Sequence, residues 1–210
     1  VLSGTALLVF QPSECIDMMT PQGYCGIIDL MLTTSIFLPY INLEVLAVEK
    51  KLNVGVLGGT GFVGQRLMTL LHDHPYFNIK VIAASEKSAG KSYAEAVDGK
   101  WKMSEPIPET VKNINVKNVN QVEEFSQDVD FVFCAVDMPK EQVREIEERY
   151  AKAETPVVSN NSAHRHTPDV PMVIPEINGH HFQIIEKQRQ RLGTKNGFIV
   201  VKPNCSIQSY

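Results

Sequence analysis

Short apolar runs, rich in Val and Ile, recur along the chain from Lys50 onward and have the length of buried strands. One of them, Ile114–Val119, alternates apolar and polar residues and is the weakest of the set. The predicted strands are Leu52–Leu57, Ile79–Ala84, Ile114–Val119, Val129–Val136, Pro156–Ser159 and Gly197–Lys202.

Apolar residues at helical spacing lie between several of these strands and predict helices at Phe62–His72, Pro139–Ala153 and Gly179–Leu192. Pro139 suits the first turn of the second helix. Because strands and helices alternate, we predict an α/β fold with a doubly wound parallel sheet, the Rossmann-type arrangement.

Residues 1–49 differ from the rest, since they contain five acidic residues and no Lys, Arg or His. Ile27–Val48 is largely apolar, but Asp29, Asn42 and Glu44 interrupt it, whereas a membrane span needs roughly 20 apolar residues. Neither a basic signal-peptide start nor an Arg-rich transit peptide is present. We therefore expect an extension of uncertain order and no membrane partner, with a hydrophobic anchor as the alternative.

The hydrophobic content, the net charge and the cysteine spacing limit the classes of function that the chain could have. The chain is 43% hydrophobic and 21% charged, which predicts a packed core. A net charge of −4 gives no reason to expect nucleic acid as a partner. The four cysteines are scattered without a CxxC pair, so no metal site is predicted, and a reducing, cytoplasmic location is expected.

Gly59, Gly61 and Gly64 form a GxGxxG pattern that directly follows a predicted strand and opens a predicted helix. Small residues there allow a tight turn, close approach of backbone N–H groups to a pyrophosphate, and close helix packing. The helix N-terminus adds unpaired donors and partial positive charge. The pattern predicts a dinucleotide site, and the alternative is a glycine-rich turn without a ligand.

The end of the second predicted strand indicates which dinucleotide is bound. Ser85, Lys87 and Ser88 are suited to a 2′-phosphate through two hydroxyls and one cation. Glu86 would compete, but neighbours in an extended segment face opposite sides, so we expect its side chain to point away. These residues favour NADP over NAD, although ordinary solvated lysines are the alternative for Lys87.

Cys205 follows the last predicted strand, which Pro203 ends. Asn204 is a good helix N-cap, so Cys205 would lie in the first turn of a helix, where the helix N-terminus stabilises a thiolate. The alternative is a buried structural cysteine. Cys134 lies within an apolar strand and is predicted to be inert core.

Five segments together resemble the aspartate-semialdehyde dehydrogenases of the archaeal and fungal type, in the family's order, from about Lys50 to Tyr210. They are KLNVGVLGGTGFVG at 51–64, ASEKSAGK at 84–91, SNNSAHR at 159–165, DVPMVIPEIN at 169–178 and KPNCSIQ at 202–208.

The resemblance implies a role for each candidate residue. Cys205 corresponds to the nucleophile, Arg165 to an arginine that binds inorganic phosphate or the acyl phosphate, and Asn204 to a residue beside the nucleophile. The implied cofactor contacts are Gly59, Thr60, Gly61, Phe62, Val63 and Gly64 at the pyrophosphate, Ser85, Lys87 and Ser88 at the 2′-phosphate, and Ser159 and Asn160 near the nicotinamide. Many members have Arg where this chain has Lys87, and Lys lacks its planar fork.

The resemblance also implies a reaction: L-aspartate 4-semialdehyde, phosphate and NADP form 4-phospho-L-aspartate and NADPH, within the synthesis of lysine, threonine, methionine and isoleucine. The extension at 1–49 matches no part of the family. The resemblance implies an NADP-binding domain at 50–203 and, at 204–210, the start of a second, catalytic and dimerisation domain that is largely missing. The family's general-base histidine would fall after Tyr210, so we expect this chain alone not to complete a cycle. His164 and His166 flank Arg165 but are expected to be surface or loop histidines. A homodimer or homotetramer is implied for the complete protein.

Three alternatives remain. A related phosphorylating semialdehyde dehydrogenase of arginine synthesis usually has glycine before its cysteine, where this chain has Asn204. A malonyl-coenzyme A reductase shares the glycine loop and the cysteine. A truncated dinucleotide-binding module without catalysis is the third.

Overall fold

The computed structural model describes residues 51–204, which form one parallel sheet of six strands in the order β3-β2-β1-β4-β5-β6. The strands are β1 (Leu52–Leu57), β2 (Phe77–Ala84), β3 (Lys117–Asn118), β4 (Phe131–Cys134), β5 (Val157–Ser159) and β6 (Ile199–Val201). The predicted parallel sheet is therefore confirmed, and the bounds of β1 are those predicted.

Helices connect the strands. They are α1 (Phe62–Leu71), α2 (Tyr93–Ala96), α3 (Glu109–Lys112), α4 (Val122–Phe125), α5 (Lys140–Lys152), α6 (Pro175–Asn178) and α7 (Ile185–Leu192). One 3₁₀ segment, Ser126–Asp128, follows α4, and another, Gly179–Ile184, directly precedes α7. Among the described residues no helix has the length and apolar character needed to cross a lipid bilayer.

Two sequence predictions of element length were wrong. The helix expected at Gly179–Leu192 is α-helical only in α7, because its first part begins with glycine and two histidines, which have low helix propensity, and forms a 3₁₀ segment. The strand expected at Ile114–Val119 shortens to β3. Its earlier residues bond instead to the chain after β2, since the Val116 N–H donates to the Lys91 carbonyl.

The sheet has a hydrophobic layer on each face, which confirms the doubly wound arrangement. Successive strand residues point to opposite faces. On one face Val54, Val56, Phe131 and Phe133 pack with Leu67, Met68 and Leu71 of α1. On the other face Leu57, Val132 and Cys134 pack with Val143, Ile146 and Tyr150 of α5.

The outer side of the edge strand β6 is covered in two places, by the backbone of residues 171–173 at Val201 and by a side chain from α7 at Ile199. The Gln188 amide donates to the Ile199 carbonyl at 2.9 Å and accepts from the Ile199 N–H at 2.5 Å. Gln188 is buried and takes the place of a further strand. This contact fixes β6 and, with it, the chain that leads to Cys205.

Candidate dinucleotide and active site

The predicted site segments meet at one edge of the sheet. In a parallel sheet all strands end at the same edge, and ligands bind where the strand order reverses, which here lies between β1 and β4. The glycine loop follows β1, the Ser159–Asn160 segment ends β5, and Pro203 and Asn204 follow β6. Cys205 lies outside the described residues, so its role stays a prediction.

The backbone of the glycine loop packs too tightly for side chains. An added Cβ at Gly59 would lie 2.4 Å from the Ile82 side chain, and one at Gly64 would lie 2.2 Å from the Gly58 carbonyl oxygen. Gly58 itself has φ +81° and meets the backbone of Ala135. The loop conformation therefore requires glycine at these three positions.

Gly61 differs from the other loop glycines because the fold does not require it. It is exposed and extended, with φ −76°, and an added Cβ would meet only the Gly58 oxygen, at 3.4 Å. Gly61 is the N-cap of α1, and no side chain caps that helix end. The first turn of a helix presents N–H donors without intrahelical partners. The prediction that a pyrophosphate binds at this helix start is compatible with the space around Gly61 and stays a prediction.

The other loop residues predicted to contact the cofactor, Thr60, Phe62 and Val63, lie beside Gly61. Thr60 and Val63 are half-buried, and 39% of the Phe62 surface is exposed. These three residues lie at or beside the start of α1. Their position fits a ligand contact, and the contact itself stays a prediction.

Two buried side chains that the sequence did not mark support this loop. The Tyr93 hydroxyl donates to the Gly59 carbonyl at 2.9 Å, and burial raises the pKa of Tyr93, so the hydroxyl keeps its proton. The Gln65 amide donates to the Thr60 carbonyl at 3.0 Å and accepts from the Lys102 N–H at 2.8 Å. Neither contact has a local sequence signal, because the partners are brought together only by the fold.

The segment after β2 forms a turn over Ser85–Gly90, in which the Ser88 N–H donates to the Ser85 carbonyl at 2.9 Å. Ser85 and Lys87 are exposed, while Ser88 is only 7% exposed. The argument that placed Glu86 on the far side of an extended segment was wrong, because the segment is a turn and Glu86 is exposed too. The 2′-phosphate contacts therefore remain predictions that depend on Ser85 and Lys87.

At the end of β5 the Ser159 hydroxyl is buried and donates to Glu147 Oε1 at 2.5 Å, so it is occupied within the protein. The neighbouring Asn160 is half-buried and donates its backbone N–H to the Cys134 carbonyl at 2.8 Å. A shallow cleft next to it is lined by Val63 of α1, Asn160 and Lys202, among others. This cleft continues from the glycine loop towards the end of β6.

Cys134 is buried, as predicted. Burial, and then the nearby Glu147, raise the pKa of its thiol well above the usual value, so it stays protonated. Its surroundings are not purely apolar, since the Asn161 side-chain amide donates to its sulfur at 3.5 Å.

Arg165 reaches the same region. It is half-buried, and its Nε donates to the Lys202 carbonyl at 3.1 Å, just after β6. Asn204 follows and is exposed. The expectation for His164 was wrong in one respect: it lies in a turn but is buried, with Nδ1 3.1 Å from the Thr167 hydroxyl, while His166 is exposed as expected.

A parallel sheet with this strand order and a glycine loop between β1 and α1 defines a dinucleotide-binding domain. Comparison with known families agrees. The sequence model of the semialdehyde dehydrogenase NAD-binding domain matches residues 53–185, and the chain belongs to the semialdehyde dehydrogenase family. The family resemblance predicted from the five sequence segments is confirmed.

Individual relatives are aspartate-semialdehyde dehydrogenases. The chain is 43% identical over 154 residues to that of Archaeoglobus fulgidus, a match covering 73% of this chain and 43% of the relative. It is 40% identical over 162 residues to that of Aspergillus fumigatus, covering 77% and 43%. The crystal structure of the Candida albicans enzyme with NADP superposes with a TM-score of 0.65 at 38% identity, covering 75% of this chain and 44% of that one. The chain thus spans less than half the length of these relatives.

Proposed function

We propose that the chain binds NADP at the glycine loop and supplies the cofactor site of an aspartate-semialdehyde dehydrogenase. The observation that carries this proposal is the glycine loop between β1 and α1, where packing excludes a side chain at Gly59 and Gly64 and where Gly61 begins a helix that no side chain caps. The solved Candida albicans relative, which carries NADP, supports the choice of cofactor.

The choice of NADP over NAD depends on the turn after β2. Exposed Ser85 and Lys87 offer a hydroxyl and a cation to a 2′-phosphate. Glu86 is exposed beside them and would repel it. We propose that Lys87 prevails, because a lysine at the carboxyl end of β2 has four rotatable bonds with which to reach the phosphate.

The proposed chemistry uses Cys205 as the nucleophile. Its thiolate adds to the aldehyde carbon of L-aspartate 4-semialdehyde, and the hydrogen on that carbon leaves as hydride. NADP, if held at the glycine loop, would supply the acceptor for this hydride. Inorganic phosphate then displaces the thiolate from the resulting thioester and releases 4-phospho-L-aspartate. Arg165 is proposed to bind that phosphate, since its Nε bond to the Lys202 carbonyl holds the guanidinium group beside the end of β6, just before Asn204 and Cys205 in the sequence.

Titration of the 210-residue chain with NADPH, followed by nicotinamide fluorescence, tests the cofactor proposal. Binding should saturate, and NADH should bind more weakly. Failure of NADPH to bind at millimolar concentration would remove the proposal.

A second assay tests the substrate. With the complete protein, one assay follows phosphate-dependent reduction of NADP by L-aspartate 4-semialdehyde, and the other follows oxidation of NADPH by malonyl-coenzyme A. Cys205→Ser should abolish any turnover and leave NADPH affinity unchanged. Turnover with malonyl-coenzyme A alone would favour the reductase alternative. Assembly as a homodimer or homotetramer and a cytoplasmic location remain predictions.

A further inference from the structure

The buried face of helix α5 carries a carboxylate where its pattern calls for an apolar side chain. Glu147 lies between Val143, Ile146 and Tyr150, which pack against the sheet, and 0% of its surface is exposed. Burying a carboxylate is costly unless hydrogen bonds compensate for lost water. The partners of Glu147 therefore indicate what it does.

The side chains that donate to Glu147 Oε1 lie at or just past the end of β5. The Ser159 hydroxyl donates to Oε1 at 2.5 Å, and the Asn161 side-chain amide donates to the same oxygen at 3.5 Å. The Ser159 oxygen in turn accepts the Asn161 backbone N–H at 3.0 Å. One carboxylate oxygen thus fixes the residues on both sides of Asn160.

The turn held in this way is part of the cofactor cleft. Asn160 lines the cleft with Val63 and Lys202. The Asn160 N–H bonds to the Cys134 carbonyl at 2.8 Å, and the Lys202 N–H bonds to the Ser159 carbonyl at 3.1 Å. A shift of Ser159 would therefore move Asn160 and Lys202, the two polar residues that line the cleft beside it.

The second oxygen of Glu147 points towards the Arg165 segment. Oε2 lies 3.9 Å from His164 Nε2, and within residues 51–204 neither atom has a hydrogen-bond partner. Burial raises the pKa of Glu147, against hydrogen bonds from Ser159, Cys134 and Asn161, and burial lowers the pKa of His164. Both shifts favour uncharged side chains, so this contact adds little to stability.

A contribution to the stability of the fold does not by itself explain why position 147 is a buried glutamate. Replacing a buried ionisable group by an apolar one of similar volume is often neutral or stabilising. A leucine at position 147 would continue the apolar face of α5. What leucine would lack is an acceptor for Ser159 and Asn161.

We propose that Glu147 is a positioning residue for the cofactor cleft: its Oε1, through Ser159 and Asn161, fixes the turn that presents Asn160 beside α1. Only the expected effect on cofactor binding rests on the proposed function, because Glu147 fixes the turn whether or not a ligand is present. Two measurements separate the two claims.

The experiment uses the 210-residue chain and four variants. Glu147→Leu removes the acceptor, and Glu147→Gln keeps an oxygen for Ser159 and places an amide towards His164. Ser159→Ala removes one hydroxyl. Glu148→Leu is the control, since it removes the adjacent carboxylate, whose ion pairs with Lys152 and Arg191 are partly exposed.

The first measurement is hydrogen exchange of the Asn160 and Asn161 backbone amides by NMR, without ligand. Glu147→Leu and Ser159→Ala should speed exchange at these amides about tenfold, because Ser159→Ala removes the acceptor of the Asn161 N–H and Glu147→Leu removes the acceptor that holds the Ser159 hydroxyl in place. Exchange at Val54 and Val56 in β1 should stay unchanged. The second measurement is NADPH affinity, which should fall about tenfold in the same two variants and stay within about threefold for Glu147→Gln and Glu148→Leu.

The results test the positioning role of Glu147 and the proposed cofactor function separately. Wild-type exchange and affinity in Glu147→Leu would overturn the proposal, and so would equal losses in Glu147→Gln and Glu147→Leu. If Glu147→Leu does not fold, Ser159→Ala decides. If the unmodified chain binds no NADPH, the proposed function fails, while the exchange data still decide the positioning role.

Discussion

The loop after β1 and the turn after β2 are predicted to bind two phosphate groups of the same cofactor, yet they are built differently. In the loop, Gly58, Gly59 and Gly64 contact the surrounding backbone and core so closely that an added Cβ would overlap it. In the turn, the side chains of Ser85, Glu86 and Lys87 extend into solvent. An added Cβ at Gly90, which ends the turn, would meet nothing within 4 Å.

We expect the loop to determine the affinity for either cofactor and the turn to determine the preference for NADP over NAD. The loop offers backbone N–H groups, which every residue has. What distinguishes it from other loops is that glycines keep side chains away from those groups. The turn offers the exposed side chains of Ser85, Glu86 and Lys87, although Gly90, with φ +82°, still requires glycine. Substitutions in the loop should therefore act through the fold or through blocked space, and those in the turn should act on the choice between NADP and NAD alone.

The largest effect is expected for Gly64→Ala. The new methyl group would lie 2.2 Å from the Gly58 oxygen and 2.6 Å from Gly59 Cα, so α1 or the loop must move. We expect the free energy of unfolding to fall by about 3 kcal/mol and NADPH binding to be lost. Urea denaturation and fluorescence titration measure the two. Gly193→Ala, at φ +73° with open space around it, is the control and should cost only about 1 kcal/mol without loss of binding. A fully stable Gly64→Ala chain that binds NADPH would contradict the packing argument.

Gly61→Val should separate blocked space from damaged fold. The position is extended, and its Cβ would make an ordinary contact of 3.4 Å. Unfolding free energy should change by about 1 kcal/mol or less. The affinity for NADPH should fall by at least about tenfold, because the side chain would stand before the N–H groups of α1. Unchanged affinity would mean that the pyrophosphate does not bind there.

The contrast also explains what the sequence could predict. The loop is contiguous, and glycine spacing after a strand reports a backbone shape directly, so the glycine turn into α1 and the bounds of β1 were predictable. The parallel sheet followed for the same reason, since apolar runs and helical patterns are local. The 3₁₀ segment before α7 was missed because helical spacing of Phe182 and Ile185 outweighed the weak propensity of Gly179.

The supports of the site were not predictable. Tyr93 bonds to Gly59, 34 positions away, and Glu147 bonds to Ser159 from another helix. A glutamate on a helix of otherwise polar composition is normally a solvated residue, and nothing local marks the one that points inward. The same holds for Gln188, which covers β6. Such residues are identified only when the fold gives them partners.

Tyr93→Phe tests whether the loop depends on support from the chain after the turn. Loss of the hydroxyl removes a donor to the Gly59 carbonyl in a buried site. We expect the unfolding free energy to fall by about 1–2 kcal/mol and NADPH affinity by about threefold. Tyr76→Phe makes the same chemical change at a residue that is 57% exposed and should have no measurable effect. Equal behaviour of the two variants would show that the loop holds its shape without Tyr93.

Lys87→Glu should have the smallest effect on the fold and the most selective effect on binding. The side chain is exposed, so the unfolding free energy should change by less than about 0.5 kcal/mol. NADPH affinity should fall about fivefold while NADH affinity stays constant, because only NADPH carries the 2′-phosphate. The loss should shrink as salt rises, since exposed charges are screened. Lys80→Glu, an exposed lysine on β2 away from its carboxyl end, makes the same charge change and should leave both affinities alone. Glu86→Lys should shift the preference the other way, towards NADPH. If Lys87→Glu weakens NADPH and NADH equally, the turn does not distinguish the two cofactors, and selectivity must come from elsewhere in the cleft.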